Sequence, residues 1–177
     1  AARETELHDV KPETFEAIAE SLYTGRLRAI TEETAIGLLE ASRRLEALRA
    51  EAQCIEWLGE HMSAANVVGI WDAAGLMEVS ELRAKAMRAA SVRWSDVSRS
   101  EGFLALGVGQ LVELVRDDAL VVGDERAVFK AVMGWVQHDA EGRRGHVREA
   151  LGAVRLGLLP MKYLASCVGR HPLVRQS

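Results

Sequence analysis

The sequence predicts an all-α fold, a run of about nine or ten short helices joined by short links. Three observations lead there. Apolar residues recur every three or four positions through most of the 177 residues, the spacing that gathers side chains on one face of a helix. Proline is confined to Pro12, Pro160 and Pro172, so no pyrrolidine ring interrupts a helix between the first two. Segments end instead at glycines and at side chains that cap helix ends.

The elements follow in order. Glu6-Leu-His-Asp-Val10 alternates and reads as at most one short β-strand at an edge. Pro12 suits the first turn of a helix, where its missing N–H costs nothing. Phe15, Ile18, Ala19 and Leu22 then form one apolar face, and Gly25 ends the helix in the left-handed conformation. Thr31 and Thr34 bracket Glu32 and Glu33 at the next start, with the carboxylates near the positive end of the helix dipole. Ala35, Leu38, Leu39, Ser42 and Leu45 continue that face. A segment from about Glu46 to His61 is expected to bury Leu48, Ala52, Ile55 and Leu58 on one side. Asn66 caps a short helix carrying Val67, Ile70, Ala73 and Ala74, which Gly75 stops, and Ser80 opens another through Leu82, Ala86, Ala89 and Ala90.

Two short pieces, Ser100 to Leu106 and Gly109 to Arg116, flank a Gly107-Val-Gly109 hinge. They need tertiary packing, because isolated helices that short are marginal. Leu120-Val-Val122 reads as a buried linker more than a strand. Asp124 caps the helix in which Val128, Val132, Trp135 and Val136 fall at i, i+4, i+7 and i+8. Phe129 and Met133 widen that stripe, which implies burial on more than one side. Val147, Leu151 and Val154 share a face, and Pro160 opens a last helix with Tyr163, Leu164 and Val168.

Composition narrows the function classes. Hydrophobic residues make up 49% and charged residues 27%, enough apolar surface to offset the entropy of ordering. The formal net charge of −4 and the scattered basic residues argue against nucleic acid as main partner, since phosphate binding needs a basic face. No apolar run approaches the ~20 residues that span a bilayer, so no membrane partner is expected. The polar N-terminus lacks the apolar centre of a signal peptide, which points to cytoplasm or nucleus. Cys54 and Cys167 lie far apart in helical patterns, without the framework of a small secreted domain.

Catalytic chemistry finds no residues to stand on. His138 and Asp139 adjoin at a helix end, where neighbours do not face each other; a histidine offsetting the helix dipole is the simpler reading. His8, His61, His146 and His171 have no i,i+4 partner of zinc-site type. Cys54 reads as a small core residue. Gly107-Val-Gly109 lacks the spacing and preceding strand of a phosphate loop. Trp57, Trp71, Trp94 and Trp135 sit in different helices and read as core anchors. No catalytic residue, metal or cofactor is expected.

The residues reach a family as whole segments. Val10-Lys-Pro-Glu-Thr-Phe15 with Leu22-Tyr-Thr-Gly-Arg-Leu27 resembles the end of a BTB domain, and Leu38-Leu-Glu-Ala41, Cys54 and Trp57-Leu58 fit the helices that complete it. Asn66, Ile70, Ala74 and Glu81-Leu82 look like the opening of a BACK domain. Ser98-Arg-Ser-Glu-Gly-Phe-Leu-Ala-Leu106 resembles its next signature. Glu125, Val128-Phe129, Trp135-Val136, His138-Asp139, Arg144, Val154-Arg-Leu156, Leu158-Leu159 and Tyr163-Leu164 match its most specific part. The chain is thus similar to the BTB–BACK region of Kelch-like proteins, with residues 1–62 as the C-terminal part of a BTB domain and 63–177 as a multi-helix BACK array.

The resemblance implies a non-catalytic substrate-adaptor segment of a cullin-3-type ubiquitin ligase. Its BTB part would dock a cullin-family scaffold protein, and its BACK helices would act as spacer and part of the docking groove. The residues it points to at a docking surface are Tyr23, Asn66 and Ile70; their spacing equally allows Tyr23 to cap a turn and Ile70 to be core. An alternative is an interaction scaffold in transcription or cytoskeletal assembly, without ligase work. Against the family pattern, the strands and first helix that form the family's homodimer are expected to be missing, with the cullin-contact motif. The protein substrate would be read by a propeller absent from this chain. A BTB domain so shortened is expected to expose the Phe15–Leu22 face and to self-associate. Gly157 stands where the family carries proline, which should loosen the final turn.

Overall fold

A computed structural model describes residues 10–28 and 30–168, with side chains through residue 166. Among these residues the chain is helical and holds no strand. The proposed Glu6–Val10 strand lies outside them except for Val10, which is irregular.

Helix α1 (Pro12–Thr24) starts with proline in its first turn and ends at Gly25, whose φ of +74° places it in the left-handed region and whose N–H donates to Ser21 O at 2.8 Å. It buries Ile18 and Ser21, while Phe15 and Leu22 stay exposed. The expected apolar face is therefore only half covered.

Next come two helical hairpins of the same design. Helices α2 (Ala35–Arg44) and α3 (Leu48–Glu60) form the first, α4 (Val67–Leu76) and α5 (Ser80–Val92) the second. Both pair a 10-residue helix with a 13-residue one. Each position in the first hairpin has its counterpart 32 residues on, and burial follows the pairing. Ala35 and Val67, Leu38 and Ile70, and Leu39 and Trp71 are all buried. So are Ser42 and Ala74, Ala50 and Leu82, Cys54 and Ala86, and Leu58 and Ala90. The turns repeat too. Ala47 N–H donates to Ser42 O and Val79 N–H to Ala74 O, both at 2.8 Å, the long bond of a Schellman turn. The residue that must turn left-handed is Glu46 (φ 54°) in one and Glu78 (φ 57°) in the other, where glycine would carry less strain. Helix α4 thus runs one residue past the stop expected at Gly75, and its left-handed turn falls at Glu78.

Helix α3 corrects one assignment. Its buried side is Ala50, Cys54 and Leu58, while Leu48 and Ala52 face solvent. Leu48 opens the helix directly after buried Ala47, and the four-residue steps that follow turn Ala50, not Leu48, toward α2 and α5. Trp57 is likewise only half-buried and stacks on His61 with centroids 4.0 Å apart.

The second half is built from shorter pieces. They are α6 (Trp94–Val97), α7 (Glu101–Leu104), α8 (Val108–Arg116), α9 (Glu125–His138), α10 (Ala140–Arg143), α11 (Val147–Leu151) and α12 (Met161–Tyr163). Tight turns at Arg144–His146 and Leu156–Leu158 join the later ones, and a π turn over Leu164–Val168 replaces the regular end expected for the last helix. Ser100 caps α7 by accepting from Phe103 N–H at 3.2 Å. Asp124 caps α9 by accepting from Arg126 N–H at 2.9 Å. Leu120 is buried as expected of the linker before α9, but Val121 is exposed. One apolar core runs from Ile18 to Leu159. The division expected after residue 62 falls in the link between α3 and α4, and this core continues through it.

Candidate docking surface

The three residues singled out from the sequence meet three different fates. Tyr23, near the end of α1, is 93% exposed. The turn behind it is held by other groups. Thr24 Oγ1 donates to Glu20 O or to Arg26 O, each at 3.0 Å. From α3, Gln53 accepts the Leu27 N–H at 2.8 Å and donates to Gly25 O at 3.2 Å. Tyr23 is therefore presented on a fixed turn that it does not itself cap.

Asn66 is a junction. Its Oδ1 accepts from Ser63 N–H at 2.7 Å, and its own N–H donates to Ser63 Oγ at 3.3 Å, closing a reciprocal cap over α4. Its Nδ2 reaches back to His61 O at 3.0 Å and to Glu32 Oε1 at 2.6 Å. One side chain thus ties the start of the second hairpin to both ends of the first. Thr34 holds the matching place 32 residues earlier, accepting from Thr31 N–H at 3.0 Å.

Ile70 is 2% exposed and packs in the core of α4. A partner cannot touch it while α4 is folded, so its part at any surface is to support what lies above it.

The apolar surface that remains open beside the Tyr23 turn is Phe15 and Leu22 on α1. Between α1 and α2 lies a cleft of about 230 Å³ lined by Lys11, Glu33, Glu40 and Arg44 with Gly37, and Arg44 pairs with Glu40 at 3.6 Å along α2. This combination, an apolar helix face bordered by mixed charge, binds another protein chain more readily than a small ligand.

The residues behind the most specific part of the resemblance hold structure together. Trp135 Nε1 donates to Leu106 O at 2.8 Å. Arg143 lies 4.1 Å over the Trp135 ring and donates to Trp135 O at 2.6 Å and Leu104 O at 2.7 Å, locking α9 to α7. Glu125 accepts from Arg155 N–H at 2.8 Å, and Phe129 meets Tyr163 edge-on at 5.9 Å. His138 and Asp139 do not act as a pair: Asp139 accepts from Gly142 N–H at 3.1 Å and caps α10. The carboxylate of Asp124 is held below its ordinary range by its bonds to Arg126. Burial pushes the Cys54 thiol up to about 11, more than the neighbouring Ser42 hydroxyl lowers it. Among the described residues no group of three His, Cys, Asp or Glu side chains is arranged around a metal site, and no helix is long and apolar enough to cross a membrane.

Sequence reasoning missed the duplicated hairpin and with it the bonds that tie the capping Asn66 back to His61 and Glu32. The signal was present. Thr31, Thr34, Gly37, Glu40, Ala41 and Glu46 recur as Ser63, Asn66, Gly69, Asp72, Ala73 and Glu78.

Comparison with known proteins agrees with this architecture. Residues 67–169 match the family model described as BTB And C-terminal Kelch (BACK), and residues 1–62 match that of the BTB/POZ domain. Kelch-like protein 2 of Mus musculus is 32% identical over 176 residues, 99% of this chain. Kelch-like protein 17 of Homo sapiens is 32% identical over 96% of the chain, and Kelch-like protein 3 of Homo sapiens 30% identical over 99%. The chain spans 30%, 26% and 30% of the length of these three relatives. Such proteins are adaptors or scaffolds for protein interaction and are not a known enzyme family. On this evidence the chain belongs to the BTB–BACK family of Kelch-like proteins.

Proposed function

We propose that this chain is the adaptor segment of a cullin-3-type ubiquitin ligase in the cytoplasm or nucleus, linking cullin docking to a substrate-binding domain outside it. The observation that carries the reading is Tyr23, exposed beside Leu22 at the end of α1 on a turn that α3 pins through Gln53. An aromatic and a leucine held on a fixed helix end are the kind of anchor that dominates binding energy at protein interfaces. Asn66 fixes the start of α4 against the ends of the first hairpin, and Ile70 supports α4 from the core. Catalysis belongs to other subunits.

The test is biolayer interferometry against an immobilised cullin-3 N-terminal domain. The chain, or a version extended to full BTB length, binds, and Tyr23→Ala with Leu22→Ala weakens binding at least about tenfold, as loss of interface anchors does. Failure of both lengths to bind would sink the ligase reading. An interaction scaffold without ligase work would then remain, and it predicts no effect on ubiquitination of any captured partner.

A further inference from the structure

A second surface, built from different elements, has its own chemistry. The end of α5, α6 and the first turns of α9 enclose a groove of about 640 Å³, with Trp94, Val122 and Ala127 among its lining residues. The linker Leu120–Gly123 separates it from a smaller cleft of about 110 Å³ lined by Val115, Val128 and Leu158. Three large aliphatic side chains stand open at these two depressions: Val92 at 85% exposure, Val121 at 73% and Leu158 at 67%. The linker itself is tied down, for Val121 N–H donates to Ser91 Oγ at 3.0 Å. The patch is therefore a fixed feature and not a loose loop.

Cations outnumber carboxylates only along the lining of the larger groove, and Lys130 is the surplus charge. Arg99, Arg126 and Lys130 line the larger groove against the single carboxylate Asp124, and Arg155 borders the smaller one with Glu125. The chain as a whole carries −4. Arg126 pairs with Asp124 at 2.8 Å, Arg99 with Asp96 at 3.5 Å and Arg155 with Asp118 at 3.3 Å. Lys130 has no carboxylate at ion-pair distance among the described residues. Exposed pairs of this kind are weak and exchange readily with an incoming carboxylate. One buried polar group is also left without a partner, the indole N–H of Trp94. Its ring rests edge-on against Phe103 at 5.6 Å, which keeps the groove wall in place.

From these features we infer that this groove is a docking site for an acidic amphipathic segment of a partner protein, one that alternates large apolar side chains with carboxylates. The apolar side chains sit against Val92, Val121 and Leu158, and the carboxylates face Lys130, Arg126 and Arg99. Complementary charge of this kind sets orientation and speeds encounter, while the apolar contacts hold the complex. The site shares no residue with the α1 surface, so it stands or falls independently of the cullin reading.

The experiment is fluorescence anisotropy with the whole chain and a labelled peptide of about a dozen residues, alternating leucine with paired glutamates, against the same peptide with serine for glutamate. The acidic peptide binds at least about tenfold tighter, and raising salt from about 50 to 300 mM weakens it several-fold as the Debye length shrinks. Lys130→Glu, an exposed position, cuts acidic-peptide binding about tenfold, and Val92→Ser cuts binding of both peptides. Far-UV circular dichroism confirms that each variant is folded. Equal binding of the two peptides, or unchanged binding by Lys130→Glu, would overturn the inference. So would an oligothymidine that binds more tightly than the acidic peptide, because the groove would then favour phosphate.

Discussion

Replacing Asn66 with alanine removes three bonds at one point of the array. The lost acceptor for Ser63 N–H is a helix cap, which contributes about 1 kcal/mol. The lost donor to His61 O is an exposed bond that water can replace, about 0.5 kcal/mol more. The bond to Glu32 is exposed and adds only about 0.5 kcal/mol. The variant is therefore expected to lose about 2 kcal/mol, read as a lower urea midpoint at unchanged slope and a melting temperature lower by about 4–8 °C. Asn66→Asp separates the terms. It keeps the capping oxygen but sets a carboxylate where the amide met Glu32, so Glu32→Gln should recover part of its loss. If Asn66→Ala costs less than about 0.5 kcal/mol, or Glu32→Gln has the same effect in the unaltered chain as in the Asn66→Asp variant, the junction argument is wrong. In that case an effect on partner binding would mark Asn66 as a contact residue.

Further expectations concern single sites. Glu46→Gly and Glu78→Gly relieve left-handed strain at the two hairpin turns, and each should raise stability by about 0.5–1 kcal/mol; a lower melting temperature in both would count against the turn assignment. Ser42→Ala removes a buried hydroxyl that makes no hydrogen bond of good geometry and only favours the thiolate of neighbouring Cys54; at the place where the second hairpin carries Ala74 it should gain about 1 kcal/mol by chemical denaturation below about pH 9. Arg143→Lys keeps the charge but not the fork that meets two carbonyls over Trp135, and should cost about 2 kcal/mol; a silent variant would refute that lock. Cys54 titrates about 11 in the folded chain against an ordinary 9.0. Its raised value favours the neutral thiol in the folded state, so its contribution is complete below about pH 9 and is lost as pH rises through about 11. A thiol reagent at pH 8 should leave Cys54 unmodified until the chain unfolds, and rapid native-state labelling would show that the pocket opens.

The helices were readable because their signals are local. Pro12 and Gly25 bracket α1, and Asp124 with the Val128–Val136 stripe marks α9; each acts within a few residues of itself. Helix α3 shows where local reading fails, since Leu48, Ala52, Ile55 and Leu58 make as plausible a face as Ala50, Cys54 and Leu58. Only the positions of α2 and α5 decide between them. The capping role of Asn66 was visible, but its bonds to His61 and Glu32 depend on how two hairpins stack, and no window of sequence shorter than both contains that. Ile70 was ambiguous for the same reason: helical spacing places it on a face without saying whether the face meets core or partner. Arg143 carried no signal, because its value lies in carbonyls of Leu104 and Trp135 that only tertiary packing brings together.

The duplicated hairpin also bears on how the chain is made. Each hairpin closes on itself within a single step of 32 residues, using its own cap, turn and buried face. During synthesis the first can form while the second is still being added, with the side of α3 that α5 will cover left open. At ordinary elongation rates that interval lasts about 2–6 s. A newly made chain is most exposed to mispairing in those seconds, while the face of α3 stands open and α5 is not yet in place.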